Sequence, residues 1–257
     1  IAASGNGNVA ITDASAATQY DLSNVSSASG SVTLAIATGG TLNASTNLGT
    51  ATLTVAAGET LTLTAAQATG KTIAASGNGN VAITTASAAT QYDLSNVSSA
   101  SGSVTLAIAT GGTLHSSTNL GSASLTVAAG ETLTLTAAQA TGKTIAASGN
   151  GNVVITGLDG SAAYDFSSIS SASGTVSATL ASSATLNSSA NLGTTAVTVA
   201  DGQTLTLTAA QATGKTIASS GSGSNNGNVA ITDASAATQY DLSNVSSNSG
   251  TITLAIA

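Results

Sequence analysis

Residues 60–84 read TLTLTAAQATGKTIAASGNGNVAIT, and this stretch decides the fold. In TLTLT (60–64) and VAIT (81–84), apolar residues alternate with Thr or Ala. A two-residue period of this kind marks a β-strand with one buried face. KTIAA (71–75) carries a third, shorter run. TAAQATG is read as a single helical turn and SGNGN as a chain reversal, because Gly and Asn relax the backbone where strands end. No segment has the 3.6-residue apolar stripe of a longer helix.

The stretch recurs. IAASGNGN begins at Ile1, Ile73 and Ile145, and IASSG begins at Ile217, so the period is 72 residues. The repeats are 1–72, 73–144 and 145–216, with a partial fourth at 217–257. The fourth has SGSGSNNGN in place of SGNGN, four residues more. Repeats 1 and 2 differ at Asp13/Thr85, Asn43/His115, Ala44/Ser116, Thr50/Ser122 and Thr52/Ser124. Repeat 3 has drifted further yet keeps the apolar pattern: Leu22 becomes Phe166, Val25 becomes Ile169 and Leu53 becomes Val197. Substitutions of unlike character fall between the apolar runs, as a buried spine with a permissive exterior requires.

Seven short runs fill each period: NVAIT, YDLSNV, SVTLAIA, TLNA, ATLTVA, TLTLTA and KTIAA. Two architectures accommodate them. One is a β-solenoid resembling a parallel β-helix, with coils of about 20 residues stacked at ~4.8 Å. The other is a string of small β-sandwiches, one per period. The solenoid is the better fit. A 72-residue sandwich would have almost no aromatic core, no Pro-rich linker separates the units, and an outward turn can absorb the extra residues. The expectation is one continuous all-β solenoid. About 13 coils would make a rod roughly 60 Å long. Asn47, Asn119 and Asn191, each before Leu-Gly, are expected at corners, where Asn tolerates left-handed backbone.

Composition narrows the function. Charged residues are 5% and the net charge is −7, with Lys71, Lys143 and Lys215 as the only cations and no Arg. Nucleic-acid and anionic-membrane surfaces need basic clusters, so neither partner is expected. No apolar run approaches the ~20 residues of a spanning helix. The absence of Cys removes disulfides, thiolate metal sites and Cys nucleophiles. An apolar content of 42% with sparse charge argues against disorder.

Chemistry-bearing residues are few. AAQATGKT at 65–72, 137–144 and 209–216 has the outline of a phosphate-binding loop, but such a loop needs a helix after it, and strand pattern follows here. The three lysines are then expected as exposed strand-edge charges that discourage pairing. SGNGNV has the glycines of a calcium-binding turn without its Asp. Asp21, Asp93, Asp165 and Asp241 occupy one repeat position and are the weak calcium candidates; one carboxylate per period is thin for an ion that takes several oxygens. No cofactor is otherwise expected. Each of these Asp residues follows a Tyr (Tyr20, Tyr92, Tyr164, Tyr240), expected to fill the core or close a corner, with sugar stacking as the alternative. His115 has no catalytic partner in the sequence and replaces Asn43, and no nucleophile–base set or carboxylate pair can be assembled, so no catalytic residue is assigned. Thr52, Thr54, Thr60, Thr62 and Thr64 suggest an ice-binding array, but VAIT and YDLS do not continue it. The Asn24-Val25-Ser26 and Asn43-Ala44-Ser45 sequons are ascribed to the abundance of Asn and Ser.

Through TLTLTAAQATGKTI, GNGNVAIT and ATLTVAAGE, the chain resembles the long repeat regions of bacterial surface and type I-secreted proteins, such as giant adhesins and S-layer-like proteins. The resemblance implies export to the cell surface and a passive, non-enzymatic role as stalk, filament or surface layer. Self-association into a fibre or lattice is the partner expectation. The alternative is an adhesive module binding a cell-surface glycan, a neighbouring cell or ice.

Overall fold

The computed structural model describes residues 1–160, 162–220 and 226–256. The protein is all-β, and every strand pairing is parallel, in the manner of a β-solenoid. It comprises two compact units, Ile1–Thr110 with Leu114–Thr126, and Gly111–Thr113 with Val127–Ala257. Neither boundary coincides with a repeat boundary.

In the first unit one sheet stacks Val9–Ser15, Val32–Thr38, Thr52–Val55, Ile73–Ala75 and Val97–Ser99. The register puts like on like. Ile11 lies against Leu34, Leu34 against Leu53, Leu53 against Ile73 and Ile73 against Val97, one aliphatic side chain per coil. The steps between partners are 19 to 24 residues, close to the expected coil. Leu34, Leu53 and Ile73 are fully buried. Burial of such a side chain stabilises the fold by roughly 1.5–3 kcal/mol. A second sheet stacks Gly40–Thr41, Thr60–Thr64, Asn80–Ser87 and Val104–Thr110.

The second unit contains a complete seven-stranded sheet: Gly112–Thr113, Thr132–Thr136, Asn152–Thr156, Val176–Leu180, Ala196–Val199, Ile217–Ser219 and Val245–Ser246. Each of the seven strand types of the period occurs in it once. The strands come from three successive repeats. A further sheet, opening at Ala184–Thr185, adds Thr204–Thr208, Asn228–Ala234 and Ile252–Ile256. The chain alternates between these two sheets, so both grow together. The 72-residue repeat is a unit of sequence but not of folding, and the string of separate sandwiches is excluded.

Two predicted strands are shorter than their sequence suggested. YDLSN forms a turn with isolated bridges at Asp21, Asp93 and Asp165, because each Asp side chain captures a backbone N–H that a ladder would need. TLNA contributes only Thr41 to a ladder, in the two-residue strand Gly40–Thr41. TAAQATG forms the expected helical turn at Ala65–Ala68, capped by reciprocal bonds between Thr64 and Gln67. The extra residues of repeat 4 fall largely outside the described residues, but the flanking strands Ile217–Ser219 and Asn228–Ala234 keep their sheet positions.

Two drifted positions carry a local cost. After NVAIT a bulge lets both Ile11 and Ala14 meet partners in the next strand, and it places Asp13, Thr85 and Asp233 at φ of 57–59°. Repeat 3 has Gly157 there, at φ 67°. A β-branched residue is strained in that region. Thr85→Asn is therefore expected to raise stability by about 1 kcal/mol, seen as an upward shift in a denaturant midpoint. Thr195 replaces the Ala51 and Ala123 of the other repeats; it is 1% exposed and its hydroxyl has no hydrogen-bond partner. Thr195→Val keeps the shape, removes the buried hydroxyl and should gain about 1 kcal/mol on the same measurement.

Candidate functional site

The residues singled out by chemistry lie in the turns, and the structure gives nearly all of them a bond to a neighbouring coil or to their own turn. Asp21 Oδ1 accepts the Ser23 N–H at 3.0 Å, and the same contact recurs at Asp93, Asp165 and Asp241. The Asp93, Asp165 and Asp241 N–H groups in turn donate to Thr69, Thr141 and Thr213 Oγ1 at 2.7–2.9 Å. All four carboxylates are exposed. Hydrogen bonds from the side chain and backbone of the serine two residues on hold each below the ordinary carboxylate value. They are turn-capping groups set one per repeat. Among the described residues no three His, Cys, Asp or Glu side chains converge as a metal cage would require.

A consequence follows for pH. The folded chain holds these carboxylates below their unfolded value, so their charged form supports the fold above that value. The support is lost as pH falls through the lowered folded values, below about 3.9. Melting temperature should drop in that window. Replacing all four by Asn, whose amide oxygen caps the Asn47 turn in the same way, should flatten the drop and lose only the charge-dependent part of the stability near neutrality. A melting temperature that rises with added calcium and stops rising in the Asn variant would identify these residues as calcium ligands.

Lys71 and Lys215 are not strand-edge charges. Lys71 Nζ donates to the Gly49 carbonyl at 2.8 Å and Lys215 Nζ to the Gly193 carbonyl at 2.6 Å, each reaching back one coil. They satisfy carbonyls at the Asn-Leu-Gly corners. The corners form where predicted, but the left-handed residue is the Gly and not the Asn: Asn47, Asn119 and Asn191 side chains accept the N–H of Gly49, Gly121 and Gly193, which adopt φ of 53–57°. The helical turn precedes the lysine and the strand Ile73–Ala75 follows it, the reverse of a phosphate-binding loop.

Tyr92 and Tyr164 are buried, so neither ring offers a sugar a platform. In repeats 1, 2 and 4 the hydroxyl accepts the N–H of Ser15, Ser87 or Ser235, closing the corner from inside. In repeat 3 it donates to Asp159 at 2.9 Å, and the ring stacks on Phe166 with centroids 5.8 Å apart. Burial and the Asp159 bond raise the Tyr164 hydroxyl above its usual value. His115 Nδ1 accepts the Ser117 N–H at 3.2 Å, reproducing the Asn43 contact with Ser45 at 2.9 Å.

Other ties carried no signal in a single repeat. Asn8 Oδ1 accepts both the N–H and the hydroxyl of Ser31 one coil on, and Asn80, Asn152 and Asn228 repeat this with Ser103, Thr175 and Thr251. Glu59 Oε2 accepts the Gly39 N–H at 2.7 Å, Glu131 accepts from Gly111, and Gln203 does the same for Ser183. The exchange of Glu for Gln shows that the acceptor oxygen, not the charge, is what the turn uses. The outward threonines form broken rows: Ala35, Thr54, Ala74 and Ser98 are successive partners. A groove of about 370 Å³ runs past Asn191, Gln211 and Lys215, and one of about 230 Å³ is lined by serines, Gly102 and Val104. Neither brings together an acid, a base and a nucleophile.

No family model matches the chain, no curated protein matches it, and no solved structure matches it.

Proposed function

We propose that the chain is a load-bearing repeat segment of an extracellular structural protein, a stalk, filament or surface layer on a bacterial cell, and that it performs no catalysis. The observation that carries this reading is the use of its polar side chains. Lys71, Glu59, Asn8, Asn80 and Thr69, which elsewhere would do chemistry, each bind a backbone group one coil away. Such ties bind each coil to the next at several points around the turn. A chain whose backbone is held in parallel ladders, with short turns and no Pro, offers a protease few sites that open.

The test is digestion of the folded protein with a protease of broad specificity, alongside a glycan array and an ice-recrystallisation assay. Survival of the full chain for hours under conditions that degrade a globular control, with no glycan or ice signal, is expected. Rapid fragmentation to small peptides would sink the structural reading, and a saturable glycan or ice signal would replace it with adhesion.

A further inference from the structure

Asn-X-Ser sequons stand at Asn24, Asn43, Asn96, Asn187 and Asn244. Composition accounts for their number, but the structure sorts them into two kinds. Asn43 and Asn187 are half-buried and committed to their own turns. Asn43 Oδ1 accepts the Ser45 N–H at 2.9 Å, and its Nδ2 donates to the Ala17 carbonyl at 3.3 Å. Asn187 Oδ1 accepts the Ser189 N–H at 2.9 Å. Asn24, Asn96 and Asn244 are exposed, and their carboxamides bond to nothing among the described residues. Their backbone, by contrast, is fixed. The Val25, Val97 and Val245 N–H groups close a turn on the Leu22, Leu94 and Leu242 carbonyls at 3.0 Å, and the Asn96 carbonyl accepts the Ile73 N–H at 3.0 Å. Val97 and Val245 are buried, while the Asn before and the Ser after each are exposed. In repeat 3 Ser168 takes the place of the Asn, and its carbonyl accepts the Ile145 N–H at the same 3.0 Å. The fold therefore uses the backbone of this position and not the carboxamide.

We propose that Asn24, Asn96 and Asn244 are acceptor sites for N-linked glycans on the folded chain, and that Asn43 and Asn187 are not. A sequon is used where the Asn nitrogen and the hydroxyl two residues on are both within reach of a transferase. With Val97 turned inward, Asn96 and Ser98 stand in solvent on either side of it, and neither side chain is held by a hydrogen bond. The donor class is a glycosyl diphosphate. The carboxamide nitrogen attacks the anomeric carbon, and a C–N bond forms as the bond from that carbon to the diphosphate oxygen breaks. The nitrogen loses one proton to the transferase, and the diphosphate leaves on its nucleoside or lipid carrier. Attack requires the carboxamide to turn freely, which Asn96 can do without breaking a contact. Asn43 would have to give up the bonds to Ser45 and Ala17 that shape its turn. A glycan at Asn24, Asn96 or Asn244 sits on an exposed turn and displaces nothing.

The inference goes beyond the structural role and does not depend on it. The test uses the folded, purified chain as acceptor in two arms. One supplies a nucleoside-diphosphate hexose with a soluble sequon-specific transferase, the other a lipid-diphosphate oligosaccharide with a membrane transferase. Intact mass is the readout. Wild-type protein is expected to gain three glycans in at least one arm, and the arm that works identifies the carrier. Asn24→Ser, Asn96→Ser and Asn244→Ser, which copy the residue that repeat 3 already carries at 168, should each gain two. The triple variant should gain none, although Asn43 and Asn187 are still present. Ser98→Ala keeps Asn96 and should also lose one glycan, a result that a purely structural role for Asn96 would not produce. All these variants are expected to keep the wild-type cooperative melt. Wild-type protein that gains nothing in either arm, or a triple variant that is still glycosylated, would overturn the proposal.

Discussion

A polypeptide of residues 73–144, one full repeat, is expected to be unfolded, with a random-coil circular dichroism spectrum and no cooperative melt. The reason lies in how the sheets are composed. The seven-stranded sheet from Gly112–Thr113 to Val245–Ser246 takes strands from repeats 2, 3 and 4. Cut at the sequence boundaries, repeat 2 retains Ile73 with Val97, Val81 with Val104, and Gly112 with Leu133, and no ladder longer than three strands. Leu133 loses Val153, and Leu135 loses Ile155. Ladders that short, with their apolar face uncovered, do not offset about 1–2 kcal/mol of backbone entropy per ordered residue. Stability should rise steeply with the number of repeats and then about linearly, as nearest-neighbour stacking requires. A single repeat that melts cooperatively, with amide protons protected from exchange, would show that the fold closes within 72 residues.

Gly102→Ala is expected to be among the most damaging single substitutions, lowering stability by about 4 kcal/mol, at the upper end of what one residue does. A Cβ at Gly102 would overlap the Gly79 carbonyl oxygen and press on Asn80 Oδ1 at 2.8 Å. Asn80 Oδ1 is the atom that accepts the Ser103 N–H and hydroxyl. The methyl would therefore push two coils apart and break the side-chain tie beside them. Gly30 and Gly174 make the same approach to Gly7 and Gly151. Gly142→Ala is the informative contrast. Gly142 has open space around it but sits at φ 67°, so its cost is conformational, about 1 kcal/mol. Denaturant midpoints of the two variants would separate close approach from backbone conformation. Near-equal losses would show that the coils can part at Gly102 without penalty.

Much of the fold was legible in the sequence because its causes are local. Alternation in TLTLT and VTLAI specified strands. The Asn-Leu-Gly triplets specified corners, since only Gly reaches φ near 55° without strain and the preceding Asn can cap the turn. The near-absence of aromatic bulk required a thin interior, and the 72-residue period required stacking. Lys71 and Lys215 were misread because the sequence showed a charge beside a strand and could not show a carbonyl one coil back. The Glu59, Asn8 and Gln67 contacts were missed for the same reason: each partner lies 20 to 24 residues away.

The sequence by itself determined the type of the long strands and of the helical turn, the face each buries and the size of the coil. These follow from side-chain period and backbone freedom, which act over a few residues. The tertiary structure alone decided which strand lies on which. It interleaved three repeats in one sheet and turned scattered polar side chains into ties between coils. Those outcomes depend on register between segments far apart in the chain, and register is fixed only when the coils close and like side chains meet.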